Sequence, residues 1–170
     1  RVVLDPIQRN HGKRFWKKRM IRMRKQKNRP LYWGPISSAD YLWGSVIERL
    51  AEDQIRFMNP LMPSGQVLKT WKSLTSYGED RMAPSLPLLQ RGQTYVVEVQ
   101  MTSCPAHTVM LEVVCQDRFG KIVDRQVSTE GQVKFVYPEQ AYSYQVRLLS
   151  AGMQEFTFHH ITISSISSEK

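Results

Sequence analysis

Residues 94–116 read TYVVEVQMTSCPAHTVMLEVVCQ, and this stretch decides the fold. Apolar residues recur at every second position on both sides of a short turn at residues 104–107. The predicted inward-facing residues are Tyr95, Val97, Val99 and Met101 before the turn, and Val109, Leu111, Val113 and Cys115 after it. Because successive side chains of a strand point to opposite faces, this period of two predicts two strands with one buried and one wet face.

Similar segments precede and follow these two strands. The later predicted strands are Ile122–Val127, Gln132–Tyr137, Tyr142–Leu149 and Glu155–Ser164, and the earlier ones are Leu42–Arg49, Gln54–Met58 and Gln66–Ser73. No segment of this part has a convincing long helical period. About eight or nine short strands separated by Gly- and Pro-containing turns predict an all-β fold, an antiparallel β-sandwich.

The last predicted strand changes phase. Phe156 and Phe158 share one face, whereas Ile161 and Ile163 fall on the opposite parity. One extra residue near His159 and His160 brings all four onto the same face, so we expect a β-bulge there.

Charge divides the chain into two parts. The chain has 170 residues and a formal net charge of +9, but residues 1–29 contain twelve basic residues and one acidic residue. The rest contains 12 basic and 14 acidic residues, so its balance is slightly negative. We therefore predict a basic N-terminal arm at 1–29, a β-sandwich domain at 30–164 and a flexible tail at 165–170.

The arm allows several interpretations. Residues 13–27 are good helix formers, with Trp16, Met20 and Met23 on one face. Such a helix suits an anionic membrane surface, a nucleic acid or an acidic partner. The alternatives are a solvated, disordered arm, or upstream sequence before a start at Met20 or Met23. No nucleic acid is expected as a partner, because the predicted domain itself is not basic.

No catalytic motif is present, so we predict no enzymatic activity, no catalytic residues, no metal and no cofactor. Neighbouring residues of a strand face opposite sides, which makes His159 and His160 a poor metal pair unless the bulge reorients them. Two cysteines form no disulfide framework, and we expect Cys115 to be a buried, reduced thiol. No apolar stretch is long enough to span a membrane, and the N-terminus does not have the pattern of a secretory signal peptide.

The aromatic residues of the less regular first half of the chain lie near predicted turns and suggest a binding site. A sandwich that exposes flat rings beside polar side chains is suited to sugars, and the candidate glycan- and substrate-binding residues are Trp71, Tyr77 and Arg81. The alternative is that the tryptophans fill the ends of the sandwich core.

Several blocks of residues together resemble one known family, the third accessory secretory protein of the accessory Sec system. They are Tyr32–Gly34, Tyr41–Ser45, Asn59–Gly65, Thr70–Ser73 and Pro84–Leu89, the last followed by Arg91–Tyr95. The blocks at 59–65 and 84–95 are the most specific. The resemblance extends from about residue 31 to residue 163, and the arm departs from the family's usual short N-terminus.

This resemblance implies a jelly-roll sandwich similar to carbohydrate-binding modules. It implies a cytoplasmic adaptor or chaperone, with no activity of its own, in the export of serine-rich repeat glycoprotein adhesins. The implied partners are the first and second accessory secretory proteins, the unfolded adhesin and the accessory Sec motor ATPase. A location at the inner face of the membrane, reached through the arm, is a further expectation.

One surface and one alternative function follow from these expectations. Pro84, Leu86 and Leu88 lack the alternation that would bury them in a strand, so we predict that they form a partner surface. The alternative function is a glycan-binding module that recognises N-acetylhexosamine on the adhesin directly.

Overall fold

The computed structural model describes residues 25–27, 29–40, 44–76, 78, 80 and 82–166. Within these ranges the chain forms ten strands, one short 3-10 helix (Ser38–Asp40) and no α-helix. The strands are β1 Lys25–Lys27, β2 Val46–Ala51, β3 Gln54–Met58, β4 Val67–Lys72, β5 Thr94–Cys104, β6 Val109–Gln116, β7 Ile122–Ser128, β8 Gln132–Val136, β9 Ser143–Ser150 and β10 Glu155–Ile166.

The strands form two antiparallel sheets. The first has the order β2-β3-β10-β5-β8, with β1 added beside β10, and the second has the order β4-β9-β6-β7. From β4 to β10 the chain repeatedly crosses between the sheets and stays in one sheet only for the β6–β7 hairpin. The predicted all-β jelly-roll sandwich is confirmed.

The core lies between the sheets and consists of the residues that the period of two places inward. Tyr95, Val97, Leu111 and Val113 are all buried. Aromatic rings dominate the part of the core near β3, where Phe57 and Phe156 stack with centroids 5.0 Å apart. Such offset aromatic pairs add to the free energy gained by burial alone.

The bulge expected in the last strand is confirmed. Against β5, Phe158 pairs with Met101 and His160 pairs with Gln100, so one extra residue lies between them in β10. As a result Phe158 and Ile161 both enter the core.

Two boundaries differ from the sequence-based expectation. Lys25–Lys27 lie in the range expected to be helical or disordered, but they form β1, which pairs with Ser164–Ile166 of β10. The expectation of a helical or disordered segment is therefore wrong at these three residues. Their pairing with an open strand edge overrides helix propensity. For the same reason β10 continues to Ile166, two residues into the expected tail. Residues 1–24, 28 and 167–170 lie outside the described residues.

The strands leave loops at two opposite ends. We call the end formed by residues 73–76, 82–93, 117–121 and 138–142 the Leu88 end, and the end formed by residues 59–66, 104–108, 129–131 and 151–154 the His107 end. Strand β5 runs from the first to the second, since it begins at Thr94 and finishes at Cys104.

Candidate functional site

Trp71, the first residue predicted to bind glycan, lies in the core. Its side chain is only 3% exposed. The indole Nε1 donates a hydrogen bond to the backbone oxygen of Tyr32 at 3.1 Å, and the ring stacks on Phe158 at 5.5 Å. The indole face that a sugar needs is therefore covered. Tyr77 and Arg81 lie outside the described residues, so glycan binding at these three positions stays a prediction.

The segment predicted as a partner surface divides into an inner and an outer part. Leu88 is 92% exposed and Pro84 is exposed, whereas Leu86 is 6% exposed and belongs to the core. The backbone N–H groups of Ser85 and Leu86 both donate to the oxygen of Lys72, at 3.1 and 3.3 Å. This attachment to the end of β4 turns Leu86 inward and leaves Leu88 outside.

Leu88 is one of several exposed apolar side chains at the same end of the sandwich. We define the Leu88 surface as the side chains of Leu74, Leu88, Phe119 and Tyr142, together with Arg91. A groove of about 410 Å³ contains Leu74, Leu88, Arg91 and Tyr142 in its lining. A second groove, of about 490 Å³, is lined by Arg91, Asp117, Arg118, Phe119, Glu139, Gln140 and Tyr142. Arg91 and Tyr142 line both grooves, which makes the surface continuous.

The residues of this surface are held by the backbone beneath them. The phenol of Tyr144 donates a hydrogen bond to the oxygen of Pro87 at 2.6 Å, directly before Leu88. Burial raises the pKa of the Tyr144 phenol far above its usual range, so this hydroxyl remains a donor. The guanidinium Nε of Arg91 donates to the oxygen of Ala141 at 3.0 Å, which connects the loop before β5 to the loop before β9.

Phe119 is 86% exposed at the tip of the turn between β6 and β7. Asp117 Oδ1 accepts hydrogen bonds from the backbone N–H groups of Phe119, at 2.8 Å, and Lys121, at 3.0 Å. Gly120 adopts a φ of 81°, which glycine tolerates without the steric cost of a side chain. The ring is thus presented by an ordered turn.

Charges near this surface are partly neutralised within the protein. Lys72 pairs with Asp80, and this contact is the main reason that the pKa of Asp80 lies below its usual range, with the N–H of Ser76 contributing next. Among the described residues, Arg91 and Arg118 form no ion pair. A docked protein could therefore pair with these two guanidinium groups.

Sequence analysis missed a charged cluster on the outer face of the second sheet. The side chain of Glu112 is 1% exposed, although it points away from the core. Arg125 donates a charge-assisted hydrogen bond to Glu112 Oε1, and Arg147 Nη1 lies 3.6 Å from Oε2. The sequence signal for this cluster is a glutamate at an outward position of β6, next to strands that each contain an arginine.

In the part of the chain that the structure covers, the side chains that could bind a metal ion lie apart from one another. It contains no group of three His, Cys, Asp or Glu residues that could hold a metal ion. His159 Nδ1 lies 3.1 Å from the oxygen of Asp53, while the ring of His160 packs edge-on against Tyr32. The bulge therefore leaves the two histidines with different neighbours.

The two cysteines also differ. The thiol of Cys115 is buried, and burial, with a smaller effect of Asp124, raises its pKa to about 12. Cys104 is exposed and free. Within the described segments, the protein contains no helix with the length and apolarity needed to cross a membrane.

Comparison with known proteins gives consistent matches over most of the chain. The family model for accessory secretory protein 3 of the accessory Sec secretory system matches residues 40–165. A protein of the same description from Streptococcus gordonii is 41% identical over 156 residues, which cover 86% of this chain and 98% of the relative.

Solved structures match the fold as well. A chain in the crystal structure of accessory secretory proteins 1, 2 and 3 of Streptococcus pneumoniae superposes with a TM-score of 0.76 and 36% identity, covering 82% of this chain and 97% of that one. A chain of the glycosylation associate protein complex of Streptococcus agalactiae gives 0.75 and 30%, covering 81% and 44%.

Proposed function

This chain belongs to the family of accessory secretory protein 3 of the accessory Sec system, and from that premise we propose that it is a non-enzymatic adaptor. Its role in this proposal is to assemble with the first and second accessory secretory proteins. The observation that carries the proposal is the Leu88 surface, where leucine and aromatic side chains are exposed on ordered loops. Exposed apolar patches with a polar rim commonly mark protein–protein interfaces.

The Leu88 surface has the composition of an interface core. Leu88 and Phe119 are almost fully accessible, and Tyr142 and Arg91 both line the two grooves that contain them. Aromatic and arginine side chains supply much of the binding energy at protein interfaces. We expect the partner to present apolar side chains to Leu88 and Phe119, and acidic groups to Arg91 and Arg118.

The wider role follows from the family. We propose that the assembled complex binds the serine-rich repeat adhesin before export and passes it to the accessory Sec motor ATPase in the cytoplasm. Attachment to the inner face of the membrane through residues 1–29 is part of the same hypothesis.

The experiment is co-purification of the tagged chain with the first and second accessory secretory proteins. The Leu88→Asp variant should weaken assembly about tenfold or more, because it introduces a charge into the proposed interface. Leu61→Asp is the matched control, since Leu61 is 85% exposed but lies at the His107 end. Equal assembly of both variants would reject the Leu88 surface as the interface. Failure of the unmodified chain to bind either partner would reject the adaptor function.

A second candidate function is direct recognition of N-acetylhexosamine on the adhesin. The observation in its favour is the 490 Å³ groove, where the rings of Phe119 and Tyr142 lie beside the polar side chains of Glu139 and Gln140. Calorimetry with N-acetylglucosamine-modified and bare peptides separates the two functions. Equal affinity for both peptides would remove the sugar from the mechanism, and the Trp71, Tyr77 and Arg81 positions should be tested in the same assay.

A further inference from the structure

A second cleft lies at the His107 end, remote from the Leu88 surface. It has a volume of about 270 Å³. One wall is the last part of β5, and two loops form its sides: one contributes Ala106 and His107, and the other contributes Thr129–Gly131. Val99, Met101 and Val109 line its apolar part.

The cleft exposes the unpaired part of a strand edge. Strand β8 pairs with β5 only as far as Gln132 opposite Glu98, and the last bond on that side runs from Val99 N–H to Gly131 oxygen, at 2.9 Å. The residues that precede Gln132 connect β8 to β7, which belongs to the other sheet. On its other side β5 stays paired with β10 up to Cys104.

The direction of the free backbone groups follows from strand geometry. Val99 directs its N–H towards the β8 side, and Cys104 directs its oxygen towards the β10 side, where it accepts from Gln154 N–H at 3.0 Å. Because backbone groups alternate between the two edges of a strand, Met101 and Ser103 direct theirs towards the cleft. No strand among the described residues pairs with them there.

We propose that this cleft binds an extended polypeptide segment, which adds as a short antiparallel or parallel strand beside Met101–Ser103. The added strand takes the place that β8 would occupy if it were longer. Its backbone provides the partners of Met101 and Ser103, and its inward side chains contact Val99, Met101 and Val109. Strand addition of this kind recognises mainly backbone, so it tolerates many sequences.

The geometry selects a single extended chain as the occupant. The open edge comprises only three residues and lies between the loops at 104–108 and 129–131. The two loops approach each other where His107 Nδ1 lies 3.4 Å from the oxygen of Thr129, so a single chain suits the cleft better than the edge of a preformed sheet. The small volume also favours small or moderately apolar side chains. This inference does not depend on the assembly proposed for the Leu88 surface.

Nuclear magnetic resonance of the full chain tests the proposal. The probe is the acetylated and amidated peptide Lys-Ser-Val-Ser-Val-Ser-Lys, and the control is the same peptide with N-methyl groups on alternate residues, which removes its donors along one edge. We expect the unmodified peptide to shift the amide signals of Met101 and Ser103 and to slow their hydrogen exchange. The N-methylated peptide should bind about tenfold more weakly, since it cannot complete the ladder.

Two variants address the same site independently. Ser103→Pro removes an N–H that faces the cleft and leaves the pairing with β10 intact, while Ala106→Trp fills the cleft without changing the edge. Each should weaken peptide binding about tenfold or more, whereas Ala83→Trp, in an exposed loop of the Leu88 end, should have no effect. Both cleft variants should retain assembly with the accessory secretory proteins. Absence of peptide binding, shifts confined to another strand edge, or binding unchanged in both cleft variants would overturn the proposal.

Discussion

The same substitution at two neighbouring leucines should give opposite results. Leu86 and Leu88 are separated by one residue in a segment of uniform apolar character, but their exposed fractions are 6% and 92%. We predict that Leu86→Asp impairs folding, and that Leu88→Asp leaves folding intact while it weakens partner binding.

The magnitude for Leu86 follows from its position in the core. Removal of a buried leucine side chain costs about 2–5 kcal/mol, and an unpaired carboxylate in an apolar site adds several kcal/mol unless it is protonated. The total is comparable with the ~5–15 kcal/mol that stabilises a typical domain. Leu86→Asp should therefore populate the unfolded chain without any denaturant.

The exposed side chain of Leu88 has no such effect in the free protein. Substitutions at exposed positions usually change the free energy of unfolding by less than about 0.5 kcal/mol. Complete burial of a leucine against a partner contributes about 1.5–3 kcal/mol, which corresponds to roughly a tenfold to hundredfold change in affinity.

Urea unfolding followed by tryptophan fluorescence measures the first effect, since Trp33 and Trp71 are both buried. Titration calorimetry with the accessory secretory partners measures the second. Equal losses of stability in the two variants would contradict the different burial of Leu86 and Leu88. So would a Leu86→Asp variant that unfolded at the same urea concentration as the unmodified chain.

Three further predictions concern the charges and thiols. Iodoacetamide at pH 8 should modify one thiol of the folded chain, Cys104, and two in urea, because Cys115 is buried with its pKa raised to about 12; mass spectrometry would contradict this if the folded chain gained two groups. Glu112→Gln should lower the free energy of unfolding by ~1–3 kcal/mol, because Arg125 and Arg147 lose their shared carboxylate, and an unchanged urea midpoint would argue against this role. A hydrogen bond from Arg56 lowers the pKa of Glu155 below 4.5. The contribution of this ion pair to stability is therefore complete above pH 4.5 and is lost as the pH falls through the folded-state pKa. Acid titration of Glu155→Gln should show a smaller loss of stability in that window, and a curve identical to that of the unmodified chain would contradict the assignment.

The sequence predicts the later strands well because their signal is local. In residues 94–116 apolar side chains recur at every second position, and the structure buries most of this set. The bulge in β10 was also predictable, because Phe158 and Ile161 can face the same core only if the strand contains one extra residue between them. The strand formed by Lys25–Lys27 was not predictable from its own residues, because its existence depends on the free edge of β10.

Trp71 shows why the candidate site was harder to predict. In an unbroken strand, Leu68 and Trp71 would face opposite sides of the sheet. The pairing of β4 with β9 shifts between Val67 and Lys69, and both side chains enter the core. This slip resembles the one in β10, but a strand of six residues contains too few apolar positions to reveal it. Leu86 and Leu88 pose a different difficulty, since their segment is not a strand and its orientation depends on hydrogen bonds to Lys72 and from Tyr144.

The separation of the two ends suits the adaptor role proposed above. Strand β5 has 11 residues and connects the two ends over about 35 Å, at roughly 3.3 Å per residue. A partner on the Leu88 surface and an extended chain in the His107 cleft would therefore not compete for space. The core between them is built from paired strands and close-packed rings, which resist deformation. Binding at one end should consequently leave the geometry of the other unchanged, and the protein would join two macromolecules through rigid spacing, with no conformational switch required.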